Sequence, residues 1–201
     1  MTPIVVGVAV VAVFGLYFVS AYNRIVGMRN QVANAWNQID VQLKRRHDLI
    51  PNLVETVKGA MSHERETLEA VIAARGRAVA AAPGGVSGGP PTADAVRQTV
   101  AAEGALSGAL GRLLAVVEAY PQLKALENVT SLQEEITSTE NKITFARQLY
   151  NDQATAYNTA QQEFPTNMVA GSAGAAPAEL WAIADATERE APQVNLALGA
   201  R

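Results

Sequence analysis

The sequence predicts an all-α fold. An N-terminal transmembrane helix continues into an antiparallel bundle of three long helices, and a short helix follows near the C-terminal end. Three observations carry this reading. Residues 3–21 form an apolar run without a charge; beyond it apolar residues recur in steps of four and three; and helix breakers gather in a few places, above all in residues 83–91.

The leader "PIVVGVAVVAVFGLYFVSA" comes first. At about 1.5 Å per helical residue it spans roughly 28 Å, enough for a hydrocarbon core. Tyr17 and Tyr22 stand near its end, where aromatic rings favour the membrane interface. A cleaved signal peptide is the rival reading, with "VSA" at 19–21 offering small residues around a cut. No Lys or Arg precedes the apolar run, however, and helical periodicity continues through that point, so an uncleaved anchor is favoured. Arg24, Arg29 and the "KRR" at 44–46 follow the span. The positive-inside rule therefore puts the N-terminus outside and the body of the protein in the cytoplasm.

The first long helix carries Val32, Trp36, Ile39, Leu43, Ile50, Leu53 and Val57 on one stripe, a heptad-like, coiled-coil-type seam. Arg46 stands where that stripe expects an apolar residue, and Pro51 predicts a kink nearby. The pattern extends the helix through "HERETLEAVIAARGRAVAA" to the flexible loop "PGGVSGGPP" at 83–91, a hinge between antiparallel helices and not a domain boundary. Thr92 then caps a second helix with Asp94 in its first turn. Gly104, Gly108 and Gly111 either let a neighbouring helix approach closely or leave this helix locally mobile. After a turn at "AYPQLKA", the third helix places Val129, Ile136, Ile143, Tyr150, Tyr157 and Phe164 seven residues apart. Its companion row is Leu132, Thr139, Ala146, Gln153 and Ala160.

This spacing accounts for the repeated Tyr-Asn pairs at 150–151 and 157–158. The tyrosines share the core stripe and each asparagine flanks it, placed for hydrogen bonds at the edge of the core. A third pair, Tyr22-Asn23, stands where the leader ends. Beyond "FPTNMVA" a weakly structured tail contains one candidate helix, from 177 or 178 to about 190. Trp181 on its apolar side either covers the bundle end, the favoured reading, or lies at a membrane interface. The resulting organisation is an anchor at 1–22, a bundle at 23–170 and a tail at 171–201.

Composition narrows the function. In 201 residues the formal net charge is −3, too mild for a nucleic-acid groove, and there is no cysteine for disulfides, thiol chemistry or Cys-based metal sites. His47 and His63 are the two histidines. "HERE" at 63–66 lacks the second His of an HExxH zinc site, and "GGVSGG" lacks the strand and helix of a nucleophile elbow. No cofactor, metal or catalytic set emerges, and the expectation is a non-enzymatic protein. Polar candidates concentrate in residues 38–52. Asp40 and Lys44 are spaced for a helical ion pair, Arg45 has Asp48 three residues on, and Arg46 or His47 is expected to meet Glu140, or a nearby asparagine, on the third helix. That contact is expected to set helix register, with a protonation- or ligand-sensitive latch as the alternative. Replacing Arg46 by methionine is accordingly expected to leave a folded but mis-assembled chain.

Residues 22–59, beginning "YNRIVGMRNQVANAWNQIDVQLKRRHDLIPN", and residues 103–170, including "ENKITFARQLYNDQATAYNTAQQEFPTNMVA", resemble the LemA family of bacterial membrane proteins. "EREAPQVNL" is similar to the family's closing segment. The resemblance implies a single N-terminal anchor, a cytoplasmic bundle of long antiparallel helices and no assigned reaction, in a family that includes proteins tied to magnetosome membranes. The chain departs from the pattern after "FPTNMVA", where the family carries an aromatic-rich Gly-Phe segment and this chain has "GSAGAAPAELWAIADA".

The expected function is a scaffold at the bacterial cytoplasmic membrane that contacts lipid, self-associates into homo-oligomers and organises membrane or partners. Arg45, Arg46, Asn151 and Asn158 would act as polar specifiers of packing. The alternative is an accessory or signalling module that holds a cytoplasmic protein partner such as an envelope-stress protease. An enzyme comes third.

Overall fold

The computed structural model describes residues 2–61, 63–124 and 126–182. Among them are six helices: α1 Thr2–Lys58, α2 Arg65–Ala81, α3 Ala93–Glu118, α4 Pro121–Lys124, α5 Glu127–Gln162 and α6 Asn167–Ala170.

The apolar leader and the first bundle helix form one element of 57 residues that continues through Pro51. From Ile4 to Val19 its large apolar side chains are exposed, and burial begins at Ala21 and Ile25. Charged side chains start at the same place, with Arg24 and Arg29. The helix therefore changes solvent along its length. An exposed apolar rod of this size is unfavourable in water and suited to a hydrocarbon layer. The helix α3 is also long and apolar enough to cross a membrane, but Val96, Leu106, Leu110, Leu113 and Val117 are buried inside the protein.

The expected continuation of the first helix to residue 81 is not what the chain does. It turns between Lys58 and Arg65 and starts the separate helix α2. Two features cause the break. Gly59 is a poor helix former, and residues 62–67, "SHERET", supply no apolar side chain to extend the stripe. Met61, fully buried, anchors the corner, its N–H donating to the Val57 carbonyl at 3.0 Å.

The two longest helices pair with each other. Trp36 meets Tyr150 while Arg46 meets Glu140, so positions rise on α1 as they fall on α5, and the two run in opposite directions. The helices α2 and α3 pair likewise through Leu68, Val71, Ala74 and Ala78 against Leu106, Ala109, Leu110 and Leu113. Between them, residues 82–92 turn with Gly84 and Gly88 at φ +73° and +79°, backbone that a side chain would strain. The side-chain amide of Asn37 holds this loop at both polar atoms of Val86, donating to its carbonyl at 3.0 Å and accepting from its N–H at 2.8 Å. Thr92 caps α3, accepting from the N–H of Ala95 at 3.3 Å.

The interior has two apolar parts. A distal one gathers residues of α1 beyond Ile50, α2, the C-terminal half of α3 and the start of α5. A proximal one, nearer the leader, gathers Ile25 to Leu43 with Ile143 to Ala160 and reaches Trp181. On α5 the seven-residue row is buried from Val129 to Tyr157, but Phe164 is 79% exposed, because the helix ends at Gln162 and its phase ends with it. Ala154, fully buried, takes the core place expected of Gln153, which is only partly buried.

Among the described residues no neighbouring helix approaches the glycines of α3. A Cβ added at Gly104, Gly108 or Gly111 would meet nothing within 4 Å. Each is thus a helix-weakening residue on an open face. Substituting any of them with alanine should stabilise the protein by about 0.5–1 kcal/mol, read as a higher denaturation midpoint. A loss of stability would show that the face is occupied.

Candidate functional site

Between the two apolar parts lies a charged layer. Arg46, 1% exposed, follows Leu43 and precedes Ile50 on the buried side of α1. Its guanidinium ion-pairs with Glu103 of α3 and Glu140 of α5, and donates to the Ser107 hydroxyl at 3.1 Å. His47 Nε2 stands 2.8 Å from the other Glu103 oxygen, and the His47 carbonyl accepts from Arg75 Nε of α2 at 2.6 Å. One turn of α1 is therefore tied to α2, α3 and α5. Burial acts to raise the pKa of the Glu103 carboxyl, but the His47 hydrogen bond and the Arg46 charge outweigh it and hold the group below the ordinary carboxylate value.

A depressed folded-state pKa stabilises the fold above the unfolded-state value, and that contribution disappears as pH falls through the lower folded value. The denaturation midpoint should consequently fall as the solution is acidified below the ordinary carboxylate range. Glu103→Gln should flatten this dependence, and an unchanged acid limb would contradict it.

The expected contact of Arg46 with Glu140 is present, but the deeper partner, Glu103, is absent from the sequence reading. A signal for it exists: Val96, Glu103, Leu110 and Val117 recur every seven residues on α3, so a carboxylate occupies a core position just as Arg46 does on α1. Arg45 pairs with Glu135 of α5 at 2.6 Å, not with the expected Asp48. Both groups are well exposed, and such a pair contributes little. Asp40 and Lys44 do pair, at 2.6 Å.

The second polar arrangement explains the Tyr-Asn pairs. Tyr150 and Tyr157 are fully buried. Residues 175–182 cross the bundle as a strap outside any helix, and the Tyr150 hydroxyl donates to the Glu179 carbonyl at 2.6 Å. Burial, and after it the Glu179 charge, push this phenol well above its ordinary pKa, so it remains a donor. Asn158 donates to the Ala178 carbonyl and accepts from the Ala178 N–H, both at 2.8 Å. Asn151 treats Trp181 in the same way, at 3.1 and 2.8 Å. Arg97 of α3 reaches Glu179 at 3.3 Å.

For Trp181 the favoured expectation, a place against the bundle, holds, and the membrane-interface alternative does not. In place of a membrane-interface position it is buried, its ring 5.7 Å from that of Trp36 and 5.2 Å from the Arg147 guanidinium carbon. Nor do the described residues 177–182 begin a helix; the rest of that expected helix, 183–190, lies outside the described residues. Tyr17 and Tyr22 remain exposed on α1 where the apolar rod meets the bundle, and Asn23 beside them is exposed too. Among the described residues the third Tyr-Asn pair thus holds no strap.

Among the described residues no cluster of three or more His, Cys, Asp or Glu is placed to hold a metal ion. What the two arrangements do chemically is hold: one locks four helices at a common level, the other fastens a non-helical backbone to a helix.

The geometry defines a class, an all-helical protein in which one helix serves both as exposed apolar rod and as core helix. Within that class, the chain belongs to the LemA family, whose sequence model matches residues 35–196. It is similar to two magnetosome proteins of Paramagnetospirillum magneticum, MamQ 1 and MamQ 2. Each is 27% identical over 189 residues, covering 87% of this chain and 70% of the relative. It is also similar to the magnetosome protein MamQ of Magnetospirillum gryphiswaldense, 26% identical over 163 residues, 74% of this chain and 60% of the relative. The relatives' magnetosome designation and the apolar rod together indicate membrane association.

Proposed function

We propose that this protein is a non-enzymatic scaffold, anchored in the cytoplasmic membrane by the N-terminal part of α1, which self-associates and organises the membrane or its partners. One observation carries the reading: the exposed apolar rod is continuous with the core helix of the bundle. A span joined without a flexible linker passes its position and tilt to the bundle, as a structural element must. The antiparallel bundle then stands in the cytoplasm, on the side where Arg24 and Arg29 follow the span. The charged layer fits a role in register, since its ionic groups are matched across helices.

Chemical cross-linking of the full-length chain in its own membranes should yield a ladder of homo-oligomers. A single unlinked species would contradict self-association.

One feature favours the second reading, a module holding a cytoplasmic protein. A hollow of about 480 Å³ opens between α1 and α5, lined by Asn37, Val41, Lys142, Phe145 and Leu149 among others. Phe145 is 72% and Val41 59% exposed there. A stoichiometric partner that co-purifies with the wild type and is lost on Phe145→Asp would support it.

A further inference from the structure

The strap is held by chemistry that takes no account of its covalent connection to α5. The two asparagines grip main-chain atoms only. From Asn151 to Asn158 is about 10.5 Å of helix at 1.5 Å per residue, and the three residues from Ala178 to Trp181 can reach about 10 Å. The two ladders can match in pitch. Selectivity comes from the Arg97 pair with Glu179 and from the seat of the Trp181 ring against Trp36 and Arg147. A peptide with this spacing of Ala, Glu and Trp satisfies every contact, whichever chain supplies it.

We propose that the strap site is shared between copies: residues 175–182 of one copy seat on Asn151, Asn158 and Trp36 of a neighbouring copy in the same membrane. The inference rests on the self-association proposed above and names the element through which it occurs. Exchange of an identical element preserves the strap contacts of the closed form, so the two arrangements differ in the connector and in the entropy of association. The connector, residues 163–174, stays on its own bundle as far as Ala173, with Thr166, Val169, Ala170 and Ala173 buried and the Ala173 carbonyl accepting from Arg29 at 3.2 Å, so the chain re-routes at Gly174, φ +62°, where it meets the strap. Anchoring lowers the remaining cost. Trp36 lies roughly 21 Å along α1 from Tyr22 at 1.5 Å per residue, so every anchored copy presents its groove at one height above the bilayer. Strap and groove then meet at the high effective concentration of a shared surface. A vacated groove would expose Trp36 and Tyr150, which favours refilling it with another strap.

The absence of cysteine gives a clean test. Two differently tagged full-length copies are co-expressed, one carrying Arg97→Cys and the other Glu179→Cys, and their membranes are treated with a short thiol–thiol cross-linker. The expected result is a covalent dimer bearing both tags, lost when Asn151→Leu and Asn158→Leu are added to the Arg97→Cys copy. A dimer that persists in that variant reports proximity alone and overturns the proposal. So does an intrachain product from the Arg97→Cys/Glu179→Cys double variant with no two-tag dimer in the mixed sample. Lysine cross-linking of the same membranes separates the two ideas: a homo-oligomer ladder without the strap product overturns exchange but leaves self-association standing, and no ladder overturns both.

Discussion

Arg46→Met is expected to destabilise the protein by about 3–5 kcal/mol, the usual result of removing one partner from a buried ion pair. Glu103 is 4% exposed and would keep His47 as its remaining close partner. Glu140, whose side chain is 42% exposed, would turn to water at little cost. The loss thus lies with Glu103, left ionised in a poorly solvated place. Adding Glu103→Leu should recover most of it, because an apolar pair of similar size avoids both desolvation costs. Arg45→Met, next in sequence but on the surface, should change stability by less than about 1 kcal/mol. Denaturant unfolding of the full-length chain in detergent checks all three variants. A single Arg46→Met variant within about 1 kcal/mol of wild type would show that the layer is dispensable. The sequence alone, with Glu103 unrecognised, supports a folded but mis-assembled Arg46→Met protein; the buried carboxylate makes loss of stability the stronger expectation.

Trp181→Ala is expected to cost a further large amount, about 3–5 kcal/mol for a buried tryptophan truncated to alanine. Its ring packs against Trp36 and under Arg147, and only 4% of the residue is exposed. Much of the effect should be local, because the strap belongs to no helix. The chain has two tryptophans, so Trp36 becomes the sole reporter in the variant. Its emission should shift to the red as the strap leaves, and protease should cut residues 171–182 faster than in wild type. An unshifted emission with unchanged cleavage would mean that the backbone clamps of Asn151 and Asn158 hold the strap without the ring.

Much of this was legible from periodicity. The apolar leader, the α1 stripe and the seven-residue row on α5 each follow directly from spacing, since burial of one helix face imposes that pattern. Arg46 stands out as an exception on its own stripe and calls for a carboxylate, which Glu140 supplies. Glu103 is hidden because the apolar members of the α3 stripe define a helix face without it. The end of α1 at Lys58 is hidden for a related reason: apolar steps resume at Leu68 and suggest one continuous helix, whereas the six polar residues before it mark a corner. The role of Asn151 and Asn158 was legible in type but not in partner. An asparagine beside a core tyrosine announces a hydrogen bond at the core edge, whereas the segment it holds lies 20 and 30 residues away and has no periodicity of its own. Trp181 illustrates the same limit. An aromatic ring in an Ala- and Gly-rich tail favours a core over a membrane surface only weakly until its neighbours are known.

The measurement that tests the central claim most directly is the mass and shape of the full-length protein, extracted from its membrane in mild detergent and imaged as single particles. A membrane scaffold built by self-association predicts a large, ordered assembly, a ring, cage or patch with its apolar rods gathered on one side. A uniform population of monomers or dimers would contradict the scaffold and direct attention to the exposed surface around Phe145 and the partner it would hold.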